Sequence, residues 1–216
     1  MVAGSATSSG LIGYVAAFPI PEVIRGINAF TLGVQAINPS AQVEVIWTST
    51  WFDPVVEGDS AQALLDKGAD VIAMHQDSTA AGEKAEAAGA RWVSYNSDMS
   101  AFAPNAFLTA PVWNWGPRYV EIIEDAKAGN YAPSSYWGSM ADGIVDLAPI
   151  ASDVDQSVVD QVMDAKAAII AGDMHPFTGP IMDQDGNQVL GAGEVMDDGA
   201  MLGMMFFVEG VIGSTG

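Results

Sequence analysis

Apolar positions along the chain follow two alternating patterns. Leu11–Phe18 (LIGYVAAF) is a short apolar run between Gly10 and Pro19, which predicts a buried strand. From Pro21 the spacing changes. Val23, Ile24, Ile27, Phe30 and Val34 fall three and four apart and predict a helix that ends around Asn38-Pro39. Proline costs little in a first helical turn, where its missing N–H would have no partner. Glu22 beside it suits the positive end of the helix dipole. The exchange then repeats. Val43–Thr48 predicts a strand, Ser60–Lys67 a helix capped by Asp59 or Ser60 and stopped by Gly68, and Asp70–His75 a third strand. Ala80–Ala88 predicts a helix ending at Gly89, Arg91–Tyr95 a fourth strand and Phe107–Ala110 a fifth extended stretch. Pro117–Ala128 predicts a helix ending at Gly129.

Short strands that are apolar nearly throughout, separated by helices, predict an α/β fold with a parallel sheet covered on both faces. Right-handed crossovers then bring the loop after each strand to the carboxyl edge, where open α/β folds bind ligands. Beyond Tyr131 the pattern loosens. Ser135–Leu147 reads as extended chain interrupted at Gly138 and Gly143. Ser157–Ala171 reads as a helix with Ser157 as its cap, and Asp183–Asn187 as a turn, plausibly of a hairpin. Met201, Met204, Met205, Phe206 and Phe207 read as an apolar helix face or terminal packing element.

Composition narrows the function classes. Seven Lys plus Arg against 27 Asp plus Glu give a formal charge of −20. No basic footprint for a nucleic-acid backbone exists, and an anionic membrane or polyphosphate is equally ill served. A salt-adapted or secreted acidic protein accounts for the charge. The absence of cysteine removes disulfides, thiolate nucleophiles and cysteine-ligated metals. No run is long enough for a membrane span, and MVAGSATSSG lacks the pattern of a signal peptide. That points to the cytoplasm or to a start upstream of Met1.

Catalytic constellations are scarce. His75 and His175 belong to no HExxH pair, there is no GxSxG elbow, and Phe18-Pro19-Ile20-Pro21 stands where a phosphate loop would need glycines. The predictions are therefore no catalytic residue, no metal and no cofactor. The aromatics say more. Phe18 ends the first predicted strand, Trp47, Trp51 and Phe52 follow the second, and Tyr95 ends the fourth. Trp113 and Trp115 follow the fifth stretch. All converge on one edge, beside His75, Gln76, Asp77, Asn96, Ser97, Asp98 and Asn114. Aromatic walls with a few amides and carboxylates describe a site for a flat, polar, neutral or weakly cationic small molecule. The alternatives are packing of Trp47 and Trp92 between sheet and helix, and loop capping by Asn96 and Asp98.

At these loops the sequence resembles the basic membrane protein family, the substrate-binding components of ABC transporters related to purine nucleoside receptors. GYVAAFPIPEVIRGINAF at Gly13–Phe30, WTSTWFDP at Trp47–Pro54 and GADVIAMHQDS at Gly68–Ser78 carry it. YNSDMS at Tyr95–Ser100, LTAPVWNWGP at Leu108–Pro117, YWGSMADGIVDLAP at Tyr136–Pro149 and FTGPIMDQDG at Phe177–Gly186 continue it in order. The resemblance implies a type I periplasmic-binding-protein-like fold whose two lobes close on a ligand, with the first lobe largely missing here. Residues 1–112 would form the second-lobe ligand-binding domain, and 113–216 the remaining second-lobe and returning first-lobe elements.

It further implies capture of a purine nucleoside, nucleobase or similar heterocycle for an ABC permease, and a periplasmic or extracytoplasmic, membrane-associated full-length form. Trp51, Phe52 or Trp115 would stack on the ring, Asn96, Asp98 and Asp77 would read its polar edge, and Met140 would pad the pocket. Asn96 stands where the nucleoside receptors carry an aspartate that contacts the sugar, so a free base is as consistent as a nucleoside. Two readings compete. A nucleoside-processing hydrolase would need a converging Asp–Asp or Asp–His arrangement, for example among Asp77, Asp98 and His75, and a truncated remnant would bind nothing.

Overall fold

The computed structural model describes residues 1–215; Gly216, the last residue of the predicted terminal segment, lies outside them. Six strands form one parallel sheet: β1 (Leu11–Ala16), β2 (Gln42–Trp47), β3 (Val71–His75), β4 (Arg91–Val93), β5 (Phe107–Thr109) and β10 (Val211–Ile212). Their order is β10-β2-β1-β3-β4-β5. The chain leaves β1 toward β2 on one side and later returns to β3 on the other. The topological switch therefore falls between β1 and β3, where the loops above the two strands diverge and open a crevice.

Alternation along each strand divides the core in two. Ile12, Tyr14, Val71, Ala73, Val93 and Leu108 face α1 (Val2–Ala6), α2 (Pro21–Gln35) and the C-terminal segment. Val15, Ile72, Met74 and Trp92 face α3 (Pro54–Asp66) and α4 (Ala80–Ala87). Both sheet faces are buried, which is why the strands carry apolar residues at successive positions rather than every second one.

The helix expected at Ser60–Lys67 starts six residues earlier than predicted, at Pro54. Its cap is Asp53, not Asp59 or Ser60. The Asp53 carboxylate accepts the N–H groups of Val55 and Val56 at 3.1 and 3.2 Å, and Pro54 occupies the first helical position, where it is pre-organised. Asp155, likewise, replaces Ser157 as the cap of α6 (Gln156–Ala171), accepting the Ser157 N–H at 2.8 Å.

β6 (Pro111–Trp113) pairs antiparallel with β7 (Val145–Leu147), so the division at 112/113 falls inside a strand. Between them run α5 (Gly116–Ala128), which buries no residue, and an irregular stretch. Of the extended chain predicted over Ser135–Leu147, only β7 is a strand, and a turn occupies residues 140–143. β8 (Ile181–Met182) and β9 (Gln188–Leu190) flank the Asp183–Asn187 turn as a hairpin. Among the methionines, Met201 in α7 (Asp198–Leu202) and Met204 beyond it enter the core with Phe207, while Met205 is exposed. Fully buried Asn28 of α2 fastens this segment. It donates to the Phe206 carbonyl at 2.8 Å and accepts the Val208 N–H at 3.1 Å.

Gly82 of α4 lies against the fully buried indole of Trp92; a β-carbon there would sit 2.3 Å from ring atoms. Gly82→Ala is therefore expected to destabilise by about 1–3 kcal/mol through overpacking, more than the ~1 kcal/mol that alanine contributes to helix propensity. A denaturant midpoint equal to or above wild type would contradict this packing.

Candidate functional site

A cleft of about 810 Å³ opens at the carboxyl edge over the β1/β3 switch. The β1–α2 loop and the start of α2 contribute Ile20, Pro21, Glu22 and Arg25, and the loop after β2 contributes Trp51. His75 ends β3 and Asp77 follows it; Tyr95 and Asn96 follow β4, and Trp113 and Trp115 lie at and beyond the end of β6. Tyr136, Trp137, Gly138, Ile144 and Val145 come from the segment leading into β7, and Leu202 ends α7.

One row of rings runs along the sheet edge. Phe18 backs Trp51 at 5.2 Å between centroids, Trp51 lies 6.2 Å from His75, and His75 lies 3.9 Å from Tyr95. A second row joins Trp113 to Trp115 at 6.2 Å and Trp115 to Tyr119 at 6.1 Å, nearly parallel at 14°. Asn96 links the second row to the sheet edge. Its backbone takes φ +65°, a left-handed conformation that asparagine tolerates, and its Oδ1 accepts the Trp113 indole N–H. Two guanidinium–ring contacts hold the segment before β7: Arg25 lies 5.2 Å from the centre of Trp137 and Arg118 lies 4.5 Å from that of Tyr136.

Below the rings the loops are tied together by Glu57, a fully buried residue of α3. One of its oxygens accepts the Asp53 N–H at 2.9 Å; the other accepts the Ser78 N–H at 3.2 Å and the Ser78 hydroxyl. The Asp77 N–H donates to the Trp51 carbonyl at 3.2 Å, completing the tie between the loops after β2 and β3.

Electrostatics differ across the cleft. His75 is only 4% exposed and its Nδ1 has no hydrogen-bond partner. Burial, and then the positive charge of Arg25, hold its pKa down to about 4, so the imidazole is neutral at pH 7. Burial pushes the Tyr95 hydroxyl up, with Glu22 and Asp77 adding to the effect and Arg25 opposing it. Its phenol stays protonated.

Of the residues singled out in the sequence, Trp51, His75, Asp77, Asn96, Trp113 and Trp115 share the cleft wall. Phe18 stands behind Trp51. Phe52 is 62% exposed and lies outside the wall, as do Asp98 and Met140. Asp98 instead caps its own loop, accepting the Ser100 N–H at 2.9 Å, and the Ser100 side chain and then this N–H lower its pKa. Gln76 is buried against the Thr48 hydroxyl at 2.5 Å, and Trp47 stacks on Phe207. Of the three residues a hydrolase would draw on, His75 and Asp77 share the cleft wall and Asp98 lies outside it. Among the described residues, no cluster of His, Asp or Glu is arranged to hold a metal, and no helix is long and apolar enough to cross a membrane.

Glu22, Arg25, Tyr136, Trp137 and the supporting Glu57 were not foreseen as site residues. Glu22 and Arg25 are three apart on the first turns of a helix that begins at the carboxyl edge, so they share one face. Glu57 lies four residues after the Asp53 cap, within reach of its N–H. Tyr136 and Trp137 carry no comparable local signal.

Residues 1–174 match the family described as PnrA-like ABC transporter substrate-binding proteins, Bmp. The chain is 43% identical to a purine-binding protein of Brucella abortus over 211 residues, 98% of this chain and 60% of that protein. It is 37% identical to a Haloferax volcanii protein named as an ABC transporter glucose-binding protein, over 97% of this chain and 51% of that one. The chain thus spans about half to three fifths of the length of these curated relatives. A solved ABC transporter solute-binding protein from Conexibacter woesei superimposes on 81% of this chain and 59% of its own, with a TM-score of 0.65 at 23% identity, a likeness of fold.

Two predictions follow from the loop ties and the buried imidazole. In Glu57→Gln an NH₂ group replaces one acceptor and meets a donor, so stability is expected to fall by about 1–3 kcal/mol; an unchanged unfolding midpoint would show that the tie is dispensable. His75 binds a proton more readily unfolded, near pH 6.5, than folded, near pH 4. Its contribution, about 3 kcal/mol, is complete above pH 6.5 and is lost as pH falls toward 4. Denaturation at a series of pH values should show this decline, and His75→Phe, which keeps the stack on Tyr95, should flatten it.

Proposed function

We propose a function from one premise: the chain belongs to the Bmp family, the PnrA-like substrate-binding proteins of ABC transporters. On this reading it captures a purine base, a purine nucleoside or a similar flat heterocycle outside the cytoplasm and presents it to an ABC permease, with no chemical step. The observation that carries the reading is the aromatic-walled cleft at the switch point of the parallel sheet. The purine-binding Brucella relative supports the choice of ligand.

The roles follow from the geometry. Trp51, Trp113 and Trp115 offer ring faces for stacking. Asp77 accepts hydrogen bonds from the polar edge of the heterocycle. Because Asn96 Oδ1 is engaged by Trp113, its amide NH₂ is left to donate to a ring nitrogen or carbonyl. Neutral His75 forms part of the wall without attracting an anion. Phe52, Asp98 and Met140 make no direct contact with ligand on this reading.

The test is calorimetric titration of the chain with purine bases, purine nucleosides and glucose. Purines are expected to bind, and Trp115→Ala to weaken binding by more than about 1 kcal/mol, some fivefold or more, with folding intact. Binding of glucose alone would replace the purine reading with that suggested by the Haloferax relative. A folded chain that binds none of them would refute the proposal.

A further inference from the structure

We infer that the cleft prefers aromatic heterocycles carrying a delocalised positive charge, such as N-methylated purines, over their neutral isomers. The inference rests on the proposed function and sharpens its ligand class.

Two features of the wall favour positive charge. The first is its ring content. Trp51 and Tyr95 rise from the sheet edge, and Trp113 and Trp115 from around β6. Ring faces attract cations through their quadrupole, and indole does so best. The second is the balance of charged groups. Glu22 and Asp77 both line the cleft as solvent-exposed carboxylates. Against these two carboxylates stands one cation, Arg25, whose Nη1 donates to the Met201 carbonyl at 2.9 Å and whose guanidinium lies over Trp137. His75 adds none.

The carboxylates and the guanidinium also act on different rings of the wall. Glu22 and Asp77 both raise the pKa of the Tyr95 hydroxyl after burial does, against Arg25, and Arg25 adds to burial in lowering that of His75. The positive part of a ligand therefore belongs beside Tyr95 and Asp77, and its neutral or electron-rich part beside His75. The formal charge of −20 reinforces the attraction at the approach to the cleft, within the ~10 Å over which salt leaves it unscreened. The same groups disfavour a phosphorylated ligand.

Isomeric pairs isolate charge from size. The chain would be titrated with 1-methyladenosine, a cation, against neutral N6-methyladenosine, with adenosine as the parent. A second pair, 7-methylguanosine and O6-methylguanosine, places the methyl on a different edge and is used below neutral pH, where the former is cationic. The cationic member of each pair is expected to bind about tenfold more tightly. Added salt should narrow the gap, and Asp77→Asn and Glu22→Gln should each weaken the cationic isomer by a larger factor than the neutral one. Equal or tighter binding of the neutral isomers overturns the inference, as does a preference that survives both substitutions. A preference in one pair only marks a steric effect of the methyl and overturns it too. If adenosine and the neutral isomers bind without any cationic advantage, the inference alone fails. If adenosine and all four isomers fail to bind, the purine reading fails with it.

Discussion

The buried side chain of Glu57 is the fixed point around which the site-bearing loops are arranged. It belongs to α3, yet its oxygens take donors from the cap of its own helix and from Ser78 after β3. The loop that presents Trp51 and the loop that presents Asp77 are thereby held at one spacing, which the Asp77–Trp51 backbone bond repeats. An unpaired acceptor at this depth would be costly, so the loops gain by supplying donors and lose by moving apart. A ligand-stacking wall needs such rigidity, because rings that must be ordered on binding weaken it.

The same economy governs charge. Four of the seven basic residues are spent in ion pairs away from the sheet-edge ring row: Lys67 with Glu44, Arg91 with Asp153, Arg118 with Glu121 and Lys166 with Asp146. Exposed pairs of this kind contribute little to stability. Of the other three, Arg25, Lys84 and Lys127, Arg25 lines the cleft, where it meets a backbone carbonyl and an indole. A chain with a formal charge of −20 thus keeps a cleft whose polarity is set by a handful of groups.

Local rules gave most of the sheet and part of the wall. The run LIGYVAAF, the helical spacing from Val23 to Val34 and the apolar DVIAMH were enough for alternating strands and helices, because two-sided burial imprints continuous apolar strands. Parallel topology then placed Trp51, His75 and Asn96 along one edge, whereas Trp113 and Trp115 reach the cleft from the antiparallel β6–β7 pair. Local rules misplaced the start of α3, where the Asp-Pro pair at 53–54 outranks the later Asp59 and Ser60 as a helix start.

Beyond those strands and that edge, the residues acquire roles through contacts remote in the chain. Asp98 and Phe52 sit on the right loops but turn away, because a side chain's direction depends on how its loop is anchored: Asp98 is spent on Ser100. Arg25 faces Met201, 176 positions away, and Glu57 faces Ser78, 21 positions away. His75 keeps a neutral ring down toward pH 4 because the sheet edge buries it and α2 brings Arg25 near it. Periodicity is a property of neighbours three or four positions apart and can be read along a line. Burial, charge state and the meeting of side chains depend on distances that exist only after the chain has closed on itself.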